Sequence, residues 1–392
     1  MLSHEMNDRL TRVGPGTPGG NLLRRYWHPV ALASQLSPEK PKIKVRILGE
    51  DLILALQPNG EYALFQEHCA HRSCSLLYGF LERDGVRCPY HGWKFAYSGE
   101  CVEQPFEAPN QRFLDRSGIS AYKVQRLSGL IFAYMGPDPA PLLPRWDVLV
   151  KRNGWRQLWL RGPLECNWLQ IQENTADTIH TYYLHARVLR ELGYPGGDRD
   201  VKAAGYYERP IESYDFELCE WGIEKAVVYG GDNAGVERRP PLVFPNILRV
   251  GDGVRDDLMH WRVPVDDENT LLFEMTFFPT KDMDADPEDE LRESRVLPKD
   301  EGRNPDGSYD MLTFPIQDQM AWETQGRITD RTKEHLGASD RGIAMLRRML
   351  AEQIDLVEQG GSPMALVWDE AKNDIIRFDY LRPEHAEGFA KS

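Results

Sequence analysis

Between Cys69 and His91 the chain spaces four metal-ligand side chains as Cys69-Ala70-His71, then sixteen residues, then Cys88-Pro89-Tyr90-His91. Such a stretch limits the fold more than composition does, because the backbone on both sides must present the four to a common centre. Two thiolates and two imidazoles can hold a zinc ion. They can also hold a two-iron cluster, with the thiolates on one iron and the imidazoles on the other. The order Cys, His, Cys, His favours the cluster, since each hairpin then supplies one thiolate and one imidazole. Zinc fingers usually group Cys with Cys and His with His.

Cys-x-His-x16-Cys-x2-His followed by Gly92-Trp93 resembles the Rieske domain of ring-hydroxylating and dealkylating non-heme iron oxygenases. The resemblance implies that Cys69, His71, Cys88 and His91 bind a [2Fe–2S] cluster. Respiratory-chain Rieske proteins bridge a Cys three residues after the first His to a second Cys between the later pair. Here the first place is Cys74 and the second is Tyr90, so the bridge cannot form and the oxygenase branch is favoured. In a chain this long without a secretory signal, six cysteines point to metal binding rather than disulfides. Cys74, Cys101, Cys166 and Cys219 read as buried thiols.

A length of 392 residues suggests two domains. Hydrophobic content of 41% and charged content of 28% suit a soluble globular protein. The longest apolar runs, such as Leu52 to Leu56, are too short to span a bilayer. The N-terminus shows no basic region followed by an apolar stretch, so a cytoplasmic location is expected. The net charge of −14 argues against nucleic acid, which needs a basic face, but could steer a partner of complementary charge.

The pattern predicts an α+β protein in two parts. Residues 1–26 form an N-terminal helical arm broken by the Gly- and Pro-rich run 14–20. Residues 27–137 carry short alternating strands with tight turns, an all-β module with the ligand hairpins at its tip. Residues 138–144 are a Pro-rich linker. Residues 145–392 form a catalytic domain with an antiparallel sheet flanked by helices. Its helices are expected at Cys166 to Leu184 and at Asp340 to Glu358. Its strands are expected at Trp155 to Leu160, Tyr206 to Glu217, Gly222 to Tyr229, Leu242 to Val250, Leu258 to Pro264 and Thr270 to Pro279. Residues 281–308 read as a solvated loop.

A second constellation is Glu173-Asn174-x-x-Asp177-x-x-His180-x4-His185. Five residues apart, the two histidines diverge by about 140° on a regular helix. They converge on one ion only if the helix ends or bulges near Tyr182-Tyr183. Asn-x-x-Asp-x-x-His-x4-His resembles the mononuclear-iron motif of the same family. By that match His180 and His185 are iron ligands, and a carboxylate must complete the 2-His-1-carboxylate triad of non-heme Fe(II). The family draws it from a later helix in a Gln-Asp context, which Gln317-Asp318 fits, with Glu323 in reserve. Asp177 is implied as the hydrogen-bonded bridge between an iron-ligating His and a cluster His of a neighbouring subunit. Asn174 is a supporting candidate.

The resemblance implies a terminal oxygenase component of the phthalate-dioxygenase-like branch. Electrons from NAD(P)H would pass through a separate reductase or ferredoxin to the cluster, then to the iron of an adjacent subunit of a homotrimer, with O2 as co-substrate. No Gly-x-Gly-x-x-Gly fingerprint follows a strand, so no NAD or flavin domain is expected in this chain. The expected reaction is hydroxylation or oxidative N- or O-dealkylation of a small aromatic compound. Alternatives are dioxygenation of a phthalate- or benzoate-like acid, or electron carriage alone. Ile223, Val228, Phe244 and Ile247 are the expected apolar contacts of a neutral or weakly polar substrate. Arg249 is the one candidate anchor for a substrate carboxylate.

Overall fold

The computed structural model describes residues 1–108, 111–192, 209–231, 235–251, 257–280 and 290–378. A six-stranded sheet comprises β1 (Trp27–Leu32), β2 (Lys42–Ile47), β3 (Glu50–Leu56), β4 (Tyr62–Gln66), β9 (Ala121–Leu127) and β10 (Leu130–Tyr134). Their order is β1-β10-β9-β4-β3-β2. Between β4 and β9 the chain inserts a four-stranded meander: β5 (Phe80–Glu82), β6 (Gly85–Arg87), β7 (Lys94–Ala96) and β8 (Cys101–Glu103). These strands are three residues each, too short to enclose a large core of their own. They pack with Phe65, Cys69, Cys88 and Trp93 into a small separate cluster around Val86 and Phe95.

The third sheet has eight strands: β11 (Gly154–Leu164), β12 (Ile211–Cys219), β13 (Gly222–Tyr229), β14 (Gly235–Val243), β15 (Ile247–Val250), β16 (Asp257–Pro264), β17 (Thr270–Pro279) and β18 (Leu291–Val296). The order is β12-β13-β14-β15-β16-β17-β11-β18, antiparallel except for the parallel pair β11–β18. One continuous hydrophobic core joins this sheet to the six-stranded one, with Phe132, Trp146, Leu158, Trp261 and Phe273 among its members. The amphipathic helix Arg341–Glu358 adds Leu346 and Leu350 to that core, and the N-terminal helix His4–Thr11 adds Leu10. Arg9 ties the two helices together through Asp355 and Glu358.

Four expectations are corrected. The expected helix Cys166 to Leu184 is two elements: an α-helix Trp168–Ala176 capped by Asn167, and a π-helix Thr181–Arg187. The expected strand Leu242 to Val250 is β14 and β15 joined by a turn at Phe244-Pro245-Asn246, because Pro245 has no N–H to continue a ladder. Part of the expected loop 281–308 is β18, whose ladder to β11 supplies the backbone partners that a solvated loop lacks. Residues 281–289 lie outside the described residues. The helix Pro18–Leu23 starts inside the Gly- and Pro-rich run, since Thr17 caps it and Pro18 tolerates the first turn. Residues 206–208 of the expected first strand also lie outside the described residues.

Side-chain alternation gives the large sheet two unlike faces. On β16, Met259, Trp261 and Val263 belong to the core, and His260 and Arg262 point the other way. The register carries this across the sheet: Leu248 and Glu274 lie opposite His260, whereas Arg249 and Met275 lie opposite Met259. The helix Trp168–Ala176 covers the His260 face, pinned by Arg262 to Gln172 at 2.8 Å and by Lys225 to the Thr175 carbonyl at 2.7 Å. Among the described residues no helix is long and apolar enough to cross a membrane.

Candidate metal centres

Cys69 and His71 sit in the loop that follows β4, and Cys88 and His91 in the β6–β7 loop. Backbone hydrogen bonds shape both loops: Cys69 N–H donates to Cys74 at 2.9 Å, and Cys88 N–H to Trp93 at 2.8 Å. Gly92 adopts φ +75°, which closes the second loop at low steric cost. The ring centroids of His71 and His91 are 4.6 Å apart, and Trp93 stacks on His71 at 4.5 Å. Burial and, secondarily, the adjacent Cys88 thiol push Cys69 up to about 12. The buried His71 Nδ1 has no partner on the chain, as a ligand atom would.

Four ligands around one zinc would place all their donor atoms within about 4 Å of each other. Among the described residues the only group of three or more donors within 4.8 Å is His180, His185 and Asp318. At the tip the Cys69 and Cys88 thiols are neighbours and the His71 and His91 rings lie 4.6 Å apart, a thiol pair beside an imidazole pair, which fits a [2Fe–2S] cluster.

The second centre is built by the π-helix. Its i→i+5 hydrogen bonding brings residues five apart to one side, which an α-helix would not. His180 and His185 lie with ring centroids 5.3 Å apart. The helix Phe314–Glu323, with Pro315 in its first turn, delivers Asp318. Asp318 Oδ1 is 3.4 Å from His185 Nε2 and 3.9 Å from His180 Nε2. Gln317 Oε1 lies 2.9 Å from His185 Nδ1, and Asp177 Oδ2 lies 3.5 Å from His180 Nδ1. Both contacts leave Nε2 free to ligate. Asn174 donates to Asp318 Oδ1 at 3.3 Å. Asp177 also caps the turn ahead of the π-helix, accepting from the Ile179 N–H at 2.8 Å.

Burial opposes the charge on Asp318, but His185 and then His180 and Arg262 hold it below the usual carboxylate range. Glu323, the reserve ligand, is engaged elsewhere, 2.6 Å from Arg303 and 2.7 Å from the Tyr309 hydroxyl. The sheet face below is strongly charged. Burial pushes Arg262 down to about 9 despite Asp318 and Glu274, and Lys225 down to about 7. His260 is held neutral, pushed down to about 4 by burial. It keeps some accessible surface.

Several expected substrate contacts lie elsewhere. Arg249 points to the core face, 3.1 Å from Asp147 and 2.8 Å from Asp257, with Lys151 3.1 Å and 3.0 Å from the same carboxylates. This ion cluster holds Arg249 on the core face, away from His180, His185 and Asp318. Ile247 shares that face, and Phe244 packs edge-on against Tyr26 at 5.8 Å. Ile223 is on the Lys225 side of β13, fully buried, and Val228 alternates to the other side. Sequence reasoning passed over His260 and Arg262. The signal was the period-two run Met259-His260-Trp261-Arg262-Val263, apolar at every other position.

A family model described as Rieske [2Fe-2S] domain matches residues 26–123, and one described as LigXa C-terminal domain like matches residues 298–383. The chain is 40% identical to the 5,5'-dehydrodivanillate O-demethylase oxygenase subunit of Sphingobium sp., across 96% of this chain and 86% of that protein. It is 34% identical to the phenoxybenzoate dioxygenase subunit alpha of Ectopseudomonas oleovorans, across 93% and 88%. The solved structure of NdmB from Pseudomonas putida CBB5 shares the fold, with TM-score 0.60 at 18% identity over 89% of this chain and 97% of that one. The chain therefore belongs to the Rieske non-heme iron oxygenases, as a terminal oxygenase alpha subunit of the phthalate-dioxygenase-like branch whose cofactors are a [2Fe–2S] cluster and a mononuclear iron, with O2 as co-substrate.

Proposed function

We propose that the protein catalyses oxidative O-demethylation of a small methoxylated aromatic compound. The observation that carries this is 40% identity to an O-demethylase oxygenase subunit along 96% of the chain. The overall balance is ArOCH3 + O2 + NAD(P)H + H+ giving ArOH + HCHO + NAD(P)+ + H2O. Cys69, His71, Cys88 and His91 hold the cluster, and His180, His185 and Asp318 hold the iron. The iron supplies O2 activation and the cluster supplies single electrons.

The chain's own residues orient these groups. Gln317 fixes the His185 tautomer, Asn174 steadies Asp318, and Asp177 Oδ2 lies 3.5 Å from the far nitrogen of His180. The Asp177 side chain is 28% exposed, which supports a contact with a cluster histidine of a neighbouring copy in a head-to-tail homotrimer. Exposed Tyr78, Phe80, Tyr90 and Phe106 lie in the segments around the cluster loops and suit such a docking face. A separate ferredoxin or reductase delivers the electrons. The solved carbazole 1,9a-dioxygenase oxygenase was captured with its ferredoxin.

The test is turnover with NADH, a reductase and a panel of methoxyarenes. Formaldehyde should appear in step with NADH and O2 consumed, with the free phenol as co-product. Ring diols without formaldehyde would replace demethylation by dioxygenation.

A further inference from the structure

The two imidazoles at the tip have unlike surroundings. Tyr90, 56% exposed, lies against His91 with ring centroids 3.8 Å apart. His71 is covered instead by Trp93, whose indole stacks on it at 4.5 Å and 9° from parallel. Trp93 also ties the ligand loop together, since its carbonyl accepts from the Cys88 N–H at 2.8 Å. Strands of three residues give the indole little shelter, yet it is only 4% exposed. Part of its cover comes from outside the meander. Phe113, on the short helix Gln111–Leu114 that follows β8, sets its ring at 86° to the indole with centroids 5.8 Å apart. Leu114 packs on the small cluster around Val86 and Phe95. The buried Ser117 donates through its hydroxyl to the Phe113 carbonyl at 2.6 Å, which fixes the end of the helix.

Phe113 itself is 47% exposed, so its ring is the outer wall of a stack that ends on a cluster imidazole. What the wall controls is water. Two ferric ions, two sulfides and two thiolates sum to zero charge, and one added electron leaves the cluster with one negative charge. Desolvation penalises the charged form of a group. Apolar cover on the His71 side therefore disfavours reduction, and solvent exposure is one of the levers that set the potential of such clusters. We propose that Phe113 is a positioning residue for the cluster: by backing Trp93 it keeps the indole on His71 and water off that side, and so holds the reduction potential down. This rests on the assignment of Cys69, His71, Cys88 and His91 as the cluster's ligands. The cover is one-sided, since the exposed Tyr90 borders the His91 side.

The test is a spectroelectrochemical titration of the purified, cluster-containing protein, without substrate or redox partner. Phe113→Ala should raise the potential, shifting the one-electron equilibrium toward the reduced cluster by about three- to tenfold, where tenfold is about 59 mV. Phe113→Tyr keeps the ring and should match wild type. Phe113→Gln keeps the bulk but brings a hydrated side chain to the indole. It should raise the potential as well, and it decides the matter if Phe113→Ala loses the cluster. Melting temperature is read alongside, because a merely structural ring would lower it and leave the potential where it was. An unshifted or lower potential in Phe113→Ala or Phe113→Gln, or a shift of the same size in Phe113→Tyr, would overturn the proposal. The EPR spectrum of the reduced protein separates this from the ligand assignment. A Rieske-type signal with an unshifted potential removes only the role of Phe113, whereas a signal of the all-thiolate type removes the assignment beneath it.

Discussion

The two metal centres are built in opposite ways. At the tip, four candidate ligands come from two adjacent loops on strands of three residues, shaped by backbone hydrogen bonds and bordered by exposed aromatic rings. At the proposed iron site, three candidate ligands come from a π-helix and a distant helix, and buried charge surrounds them. A cluster that exchanges electrons with another molecule needs an accessible edge. A site that reacts with O2 and substrate needs a preorganised hollow from which bulk water is excluded. The tip should therefore tolerate changes in charge, and the iron site should not.

The largest effect is expected at the triad. His180→Ala, His185→Ala or Asp318→Ala should abolish turnover and lower iron from about three to about two per chain, while the red-brown cluster colour persists. Iron analysis with absorbance checks this. If Asp318→Ala keeps full activity, the third ligand lies elsewhere and the contrast between the centres weakens.

Next is the charge that supports the helix Trp168–Ala176. Glu173 is buried between Arg331, at 2.8 Å, and Arg347, at 2.6 Å. Burial opposes its ionisation, but the two guanidinium groups hold its carboxyl below the usual range. Glu173→Gln strands Arg331, while Arg347 keeps its pair with Glu334, at about 3 kcal/mol or more. Arg249→Met should cost less, because Lys151 still pairs with Asp147 and Asp257. Thermal melts check both. A smaller loss should follow Gln317→Ala or Asn174→Ala, about 10–100-fold in iron affinity with the fold intact, read by iron titration.

Legibility followed the same division. The tip could be read because all its ligands fall in one short stretch whose spacing is itself the geometry. The bulge between His180 and His185 followed from helical angles alone, and the π-helix is its physical form. Asp318 could not be reached by spacing, since nothing local links it to the histidines, and it came from resemblance. Arg249 misled because Leu242 to Val250 read as one strand. The turn at Pro245 resets which residues face the site, and parity then puts Arg249 beside Met259 and Arg262 against the helix Trp168–Ala176. Alternation tells which residues share a face. It does not tell which face the site occupies until the helix that covers it is placed.

The smallest effect is expected at the tip's own charges. Glu82 pairs with Arg87 at 2.6 Å and Lys94 at 2.9 Å on the short meander, close to solvent. Hydrogen bonds from Arg87, then from Lys94, push its carboxyl down to about 2 from the ordinary 4.5. A carboxylate with a depressed folded pKa contributes stability above its unfolded value and loses it as pH falls through the folded one. The contribution of Glu82 should thus be level from pH 7 down to about 4.5 and decay between about 4.5 and 2. Solvent screening limits it to about 1 kcal/mol or less, and added salt should shrink it further. Glu82→Gln should accordingly melt slightly below wild type at pH 7 and converge with it toward pH 2, with the cluster's spectrum at pH 7 unchanged. A loss as large as that from Glu173→Gln would mean that the meander depends on buried charge after all, and the contrast between the two centres would fail at its exposed end.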